Sequence, residues 1–350
     1  MDTNDETIRP EAKVVILRDF CVRSKGADCN RCESACPKAA ISFSDEGLPV
    51  IDAQSCSVCG ICYGICDSFS SNRVTMLDLH ARVKRIAARG DKAFFTCKEN
   101  IFPGFEVSGN VIVLPCLACL SPEFWTLLLS ENILVRVACD IRYCADCERA
   151  GSIAEDLYSH AIATAEKWTG NKVGFSEEIP EKKALINELA NPNDVDRRSM
   201  FTNIFEDVGD IATGKRRIRE SGVLQRFAER RERSKVLAAL SFAETDILNA
   251  DLSLGRNRKI MTPKRQMLLE AILANPEIAK NIPVFIASID HDRCQTHKAC
   301  LSACPTGALS LDPETEKLRH DARYCIACGI CVDICPNAAM SIVERTATCF

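Results

Sequence analysis

A chain of 350 residues, 47% hydrophobic and 26% charged, can bury the cores of two or three compact domains. A formal net charge of −4 and only 6% aromatic residues supply neither a cationic field nor a stacking platform, which argues against a nucleic-acid binder. The 22 cysteines are far above ordinary use; with a polar, acidic start (MDTNDETIRPEAK) and no apolar run of about 18 residues, they lead us to expect a cytoplasmic protein without a membrane span, whose thiols serve metal or redox chemistry rather than disulfides.

In chain order, a β-rich run at 14–17 precedes Cys21 and the set Cys29, Cys32, Cys36, the last followed by Pro37. Two short strands, 40–43 and 48–51, are separated by a turn and lead to Cys56, Cys59, Cys62 and Cys66. The predicted order is strand, cysteine helix, hairpin, cysteine helix, strand. Three apolar runs follow, AFFT, VIVLP and ILVRVA, ending on Cys97, Cys116 and Cys139. Helix-like stretches separate them, one opened by Ser121-Pro122-Glu123 as N-cap, first-turn proline and acid, another spanning 151–168. Alternating strands and helices predict a small α/β domain with a parallel sheet, whose ligands would bind beyond the carboxyl ends of the strands, where all three cysteines fall. With Cys119, Cys144 and Cys147 they make six candidate metal ligands, open to a cluster, a structural zinc or reduced free thiols.

Residues 179–281 read as charged and helical, with SMFTNIF, GVLQRFAE and KRQMLLEAILA as amphipathic pieces. Between 213 and 235 nine Lys or Arg stand against three Glu, a solvated helix face or a docking surface for an acidic partner. The pattern of the first 80 residues then repeats: a strand at 284–289, Cys294, Cys300 and Cys304-Pro305, a hairpin from 308–311 and 317–320, and Cys325, Cys328, Cys331 and Cys335-Pro336.

A cubane cluster needs four thiolates at its corners. Cys-x2-Cys-x2-Cys wraps three of them in one tight loop, and a cysteine three residues further on points toward a neighbouring cluster. Zinc ribbons use two Cys-x2-Cys knuckles and need neither the third cysteine nor the Cys-Pro ending. On these motifs each end of the chain resembles a bacterial-type two-cluster ferredoxin domain. The resemblance implies crossed ligation: Cys36 with Cys56, Cys59 and Cys62; Cys66 with Cys29 and Cys32; Cys304 with Cys325, Cys328 and Cys331; Cys335 with Cys294 and Cys300. Both modules depart from the family at one corner. Gly26 stands where a cysteine belongs, so Cys21 is the expected substitute, the alternative being a buried apolar thiol and a three-iron cluster. His297 stands at the other, either as an imidazole ligand or turned away from a [3Fe-4S] cluster.

The middle segment, from VIVLPCLACL to ILVRVACDIRYCADC, resembles the delta subunit of methyl-viologen-reducing hydrogenases in Cys97, Cys116, Cys139 and Cys144. That implies an extra cluster, [2Fe-2S] in the family, with Cys119 and Cys147 leaving [4Fe-4S] open, and electron passage to a flavin-bearing subunit of heterodisulfide-reductase type.

No dinucleotide fingerprint, phosphate loop or nucleophile elbow is present, and His80, His160, His291 and His320 read as surface or packing residues. The expected fold is α+β: dicluster ferredoxin modules at 1–80 and 282–350, an α/β cysteine-rich domain at 81–178 and a helical connector at 179–281. The expected function is a non-catalytic electron-transfer subunit with four [4Fe-4S] clusters and one further cluster, relaying electrons between redox partners; a component of a flavin-based electron-bifurcating complex, with a flavoprotein partner, is one alternative. A cluster-binding assembly or sensing protein is the other.

Overall fold

The computed structural model describes residues 14–71, 74–139, 144–182 and 259–350, so SMFTNIF, GVLQRFAE and the basic stretch 213–235 lie outside the described residues. The fold is mixed α/β. Near the N-terminus β1 (Val14–Ile16) pairs antiparallel with β4 (Phe69–Ser71), Ile16 lying opposite Phe69. Between them come α1 (Arg31–Ser34), a hairpin of β2 (Ile41–Phe43) and β3 (Pro49–Ile51), and α2 (Ile61–Ile65). Helices of four and five residues cannot persist alone. Cys32 on α1 is held in a small apolar core with Ile41 and Phe69.

The same order recurs at the other end. There β9 (Pro283–Ile289) pairs with β12 (Met340–Thr346) along its whole length, Met340 opposite Ile289 and Thr346 opposite Pro283. Enclosed between them are α7 (Ala299–Ala303), the hairpin of β10 (Leu309–Leu311) and β11 (Leu318–His320), and α8 (Ile330–Asp333).

The middle segment holds a parallel sheet in the order β6-β5-β7-β8: β5 (Ala93–Cys97), β6 (Val111–Leu114), β7 (Val135–Val137) and β8 (Gly174–Phe175). The last strand, two residues long, was too short to show a period in the sequence. Leading into the sheet is α3 (Met76–Ala87), started by a capping box between Thr75 and Asp78. It buries Leu79, Val83 and Ile86 at helical spacing, each contributing about 1.5–3 kcal/mol relative to exposure.

The helix expected after Ser121 is α4 (Pro122–Ser130), but the Ser121 hydroxyl makes no capping bond and lies buried without a partner, so proline and the acidic first turn act there instead. Phe124 and Trp125 on α4 meet Phe95 of β5 edge-on, the Phe95 and Trp125 centroids 5.1 Å apart. Both α5 (Ile153–Thr169) and α6 (Pro263–Ala274) pack against α4. The residue order places Cys97, Cys116 and Cys139 at or just past the carboxyl ends of β5, β6 and β7. Among the described residues no helix is long and apolar enough to cross a membrane.

Candidate metal centres

Each cysteine set is formed by loops that break ordinary backbone rules in one direction. Cys36, Cys304 and Cys335 are each followed by proline, which ends the preceding helix. Three residues on, Ala39, Gly307 and Ala338 have φ of 47°, 63° and 45°, and each donates its N–H to the carbonyl of its cysteine. In two of the three turns this left-handed residue aims the next amide at sulfur: Ala40 N–H donates to Cys36 Sγ at 3.3 Å and Ala339 N–H to Cys335 Sγ at 3.3 Å. Inside the Cys-x2-Cys loops Val58 and Ala327 also have positive φ, 54° and 53°. A β-branched residue there is strained, a cost that surrounding structure must over-determine.

Two cavities in the C-terminal segment collect the cysteines. One is lined by Cys304, Cys325, Cys328 and Cys331, with His320 in its wall. Ala287 N–H donates to Cys325 Sγ at 3.3 Å. Burial pushes the Cys331 thiol up to about 12, helped by Cys328, Cys325 and Cys304. The other is lined by Cys294, His297, Cys300 and Cys335. His297 is itself exposed, on a loop where Thr296 and Lys298 have φ of 54° and 64°.

Near the N-terminus burial raises the Cys59 and Cys62 thiols, and Cys36 and Cys56 add to both. Cys32 is pushed up to about 11 by burial, then by Cys66 and Cys29. Cys21 is buried and lines the same cleft as Cys29, Cys32 and Cys66. Ser68 N–H donates to Cys66 Sγ at 3.4 Å. Burial and crowding of like groups thus oppose a free thiolate at these cysteines. Among the described residues no three His, Cys, Asp or Glu side chains converge on the volume of a single ion. A zinc–sulfur distance near 2.3 Å would set tetrahedral sulfurs about 3.8 Å apart, whereas a cubane separates its ligands by its own width.

In the middle segment Cys97, Cys116, Cys139 and Cys144 share one neighbourhood. Cys97 is pulled down by a hydrogen bond from Cys139, which the same contact and burial push up. Burial pushes Cys116 up to about 12, with Cys97, Cys59 and Cys144 adding to it, and Cys144 is raised by burial, then by Cys97, with Cys147 also contributing. Cys119 is buried, and its neighbouring thiols are Cys116, then Cys59 and Cys62.

Sequence reasoning missed two residues. Asn100 is buried and its amide donates to Cys97 Sγ at 3.1 Å and Cys139 Sγ at 2.9 Å. No motif marks it, because a turn asparagine is ordinary. His320 shares the inward face of β11 with Leu318, an alternation that could have shown it lining the cavity; burial lowers its pKa. Donors to sulfur stabilise the more negative, reduced state. Replacing Asn100 by leucine should therefore lower the potential of a middle centre by about 40–80 mV, taking about 1 kcal/mol of redox-dependent strength per bond. An EPR-monitored titration with no downward shift would contradict this.

Residues 292–339 match the family model described as a 4Fe-4S dicluster domain. The chain is similar to the aliphatic sulfonate oxidoreductase polyferredoxin-like subunit of Pyrococcus furiosus, 49% identical over 38 residues, 11% of this chain and 22% of the relative. It is also similar to indolepyruvate oxidoreductase subunit IorA of Pyrococcus abyssi, 28% identical over 86 residues, 25% of this chain and 13% of the relative. Both matches span well under two thirds of the relatives' length. The chain thus carries a stretch, residues 292–339, that matches a 4Fe-4S dicluster domain.

Proposed function

We propose that the chain is a multi-cluster relay subunit of an oxidoreductase complex, with a second dicluster module in residues 1–80, a further cluster in 81–178 and the known dicluster domain within 282–350. The observation that carries this reading is the crossed gathering of thiols: Cys304 lies with Cys325, Cys328 and Cys331, and Cys335 with Cys294 and Cys300. Near the N-terminus Cys36 groups with Cys59 and Cys62, and Cys66 with Cys32. Bound clusters supply one-electron redox chemistry. The protein's part is to desolvate each sulfur, aim backbone N–H groups at Cys36, Cys66, Cys325 and Cys335, and hold the sets in fixed sequence.

Cys21 supports a complete fourth corner at the N-terminal end, since it is buried in the right cleft. The relatives are named as subunits of oxidoreductases, which favours partner redox proteins; a flavoprotein among them rests on the resemblance of the middle segment to the hydrogenase delta subunit. The richness in cysteine without an expected disulfide pattern favours a reducing, cytoplasmic setting. Anaerobically purified protein should contain about 16 irons or more per chain with matching acid-labile sulfide, and should bleach reversibly with a low-potential reductant. Zinc in place of iron, or iron that no reductant reaches, would defeat the relay.

A further inference from the structure

After β6 the chain makes a short 3-10 turn, Leu117–Cys119, and every residue of it is buried. The turn sits directly on α2, the helix that carries Cys62. Two glycines of the Cys56–Cys66 loop make this possible. A Cβ on Gly64 would stand 2.4 Å from the Ala118 carbonyl oxygen, and one on Gly60 3.0 Å from Cys119 Cβ. Gly60 has a φ of 79°, a backbone reason of its own. Gly64 has none: it lies inside α2, where glycine is less favourable than alanine. The close approach of the turn is what its missing side chain serves.

The two cysteines flanking this turn both neighbour Cys59, and Cys119 Cβ is the atom that a Gly60 side chain would meet. Cys116 neighbours Cys97 and Cys144 as well as Cys59, whereas the thiols weighing most on Cys119 are Cys116, Cys59 and Cys62. A second contact pins the same interface: Ser57 Oγ donates to the Arg149 carbonyl at 2.6 Å, and Arg149 Nη1 donates to the Ser57 carbonyl at 2.8 Å. Arg149 also pairs with Glu99 at 2.9 Å, beside Asn100. The Cys56–Cys59 loop is thereby tied to both flanks of the middle set.

We propose that the Cys116–Cys119 turn, seated on Gly60 and Gly64, is the junction that holds the middle cysteine set against the set of Cys36, Cys56, Cys59 and Cys62 for electron exchange, with Cys119 a packing thiol of the junction rather than a metal ligand. The proposal rests on both sets holding clusters. With Cys97, Cys116, Cys139 and Cys144 as the middle set, each set has four thiols without Cys119. What crosses the junction is one electron, from the reduced set to the oxidised one, with no proton moved and no bond made or broken.

The test uses full-length, anaerobically loaded protein. Iron and sulfide are measured first on the native chain, and their absence would overturn the proposed function itself. Cys119→Ala is expected to keep the native iron count and every EPR signal; loss of a cluster in this variant would show that Cys119 is a ligand. Gly64→Ala is expected to keep the iron but lose the magnetic interaction between the two reduced centres, with Gly109→Ala, where nothing lies within 4 Å, as the unaffected control. Should Gly64→Ala fail to load, Arg149→Met is read in its place with the same expectation. An interaction that survives unchanged in the loaded variant would overturn the junction.

Discussion

Cys66→Ser should remove a whole cluster from the N-terminal segment, a loss of about four irons per chain, while the signals of the C-terminal dicluster domain persist. Cys66 sits after α2 but belongs by position with Cys29 and Cys32 on the far side of the hairpin. Serine leaves the Ser68 amide without its sulfur and the buried Cys32 environment without the cation that would hold a thiolate there. Cys21→Ser tests the same site from its weakest corner and should cost less, between one iron and the whole cluster. The grading matters: equal, complete loss in both would mean that Cys21 anchors the fold of the loop as well as the metal. Unchanged iron in Cys66→Ser would break the crossed assignment.

His297→Cys should lower the potential of one centre in the C-terminal domain, by on the order of 100 mV. Imidazole in place of thiolate removes a negative charge beside iron and favours the reduced state, the direction that separates Rieske centres from all-cysteine ones. The ring lies on an exposed loop but lines the cavity of Cys294, Cys300 and Cys335. A native protein with an EPR-active oxidised centre would place three irons there, and the cysteine variant should then gain about one iron and lose that signal. A ligated imidazole predicts the shift without the gain. A redox titration in which no centre moves down would remove His297 from any tuning role. In either outcome the native site is expected to be the higher-potential member of its pair.

The elements that could be read from residue order are those whose causes are local. Cys-x2-Cys-x2-Cys turns, Cys-Pro helix ends and the β-rich runs at 284–289 each depend on neighbours a few residues away, and the strands Pro283–Ile289 and Ile41–Phe43 lie where those runs predicted. The three apolar runs ending on cysteine likewise predicted a parallel sheet with its thiols at the carboxyl edge, because strand direction follows from alternation with helices. Asn100, which bonds two sulfurs from 3 and 39 residues away, carries no local mark.

Nor does α6, foreseen as an amphipathic helix of the connector, announce what it does at its start. Its Lys264 amide donates to Asp67 and its Lys264 ammonium to the Gly64 carbonyl, contacts spanning about 200 residues, while Arg265 donates to the Cys325 carbonyl at 2.6 Å. The surroundings of Cys119 are decided the same way, by the helix beneath it rather than by its place in Cys-x2-Cys. Spacing in sequence can say that a thiol is near another along one loop. Which other loop closes over it depends on packing between segments far apart in the chain, where a missing Cβ at Gly64 counts for as much as the cysteine itself.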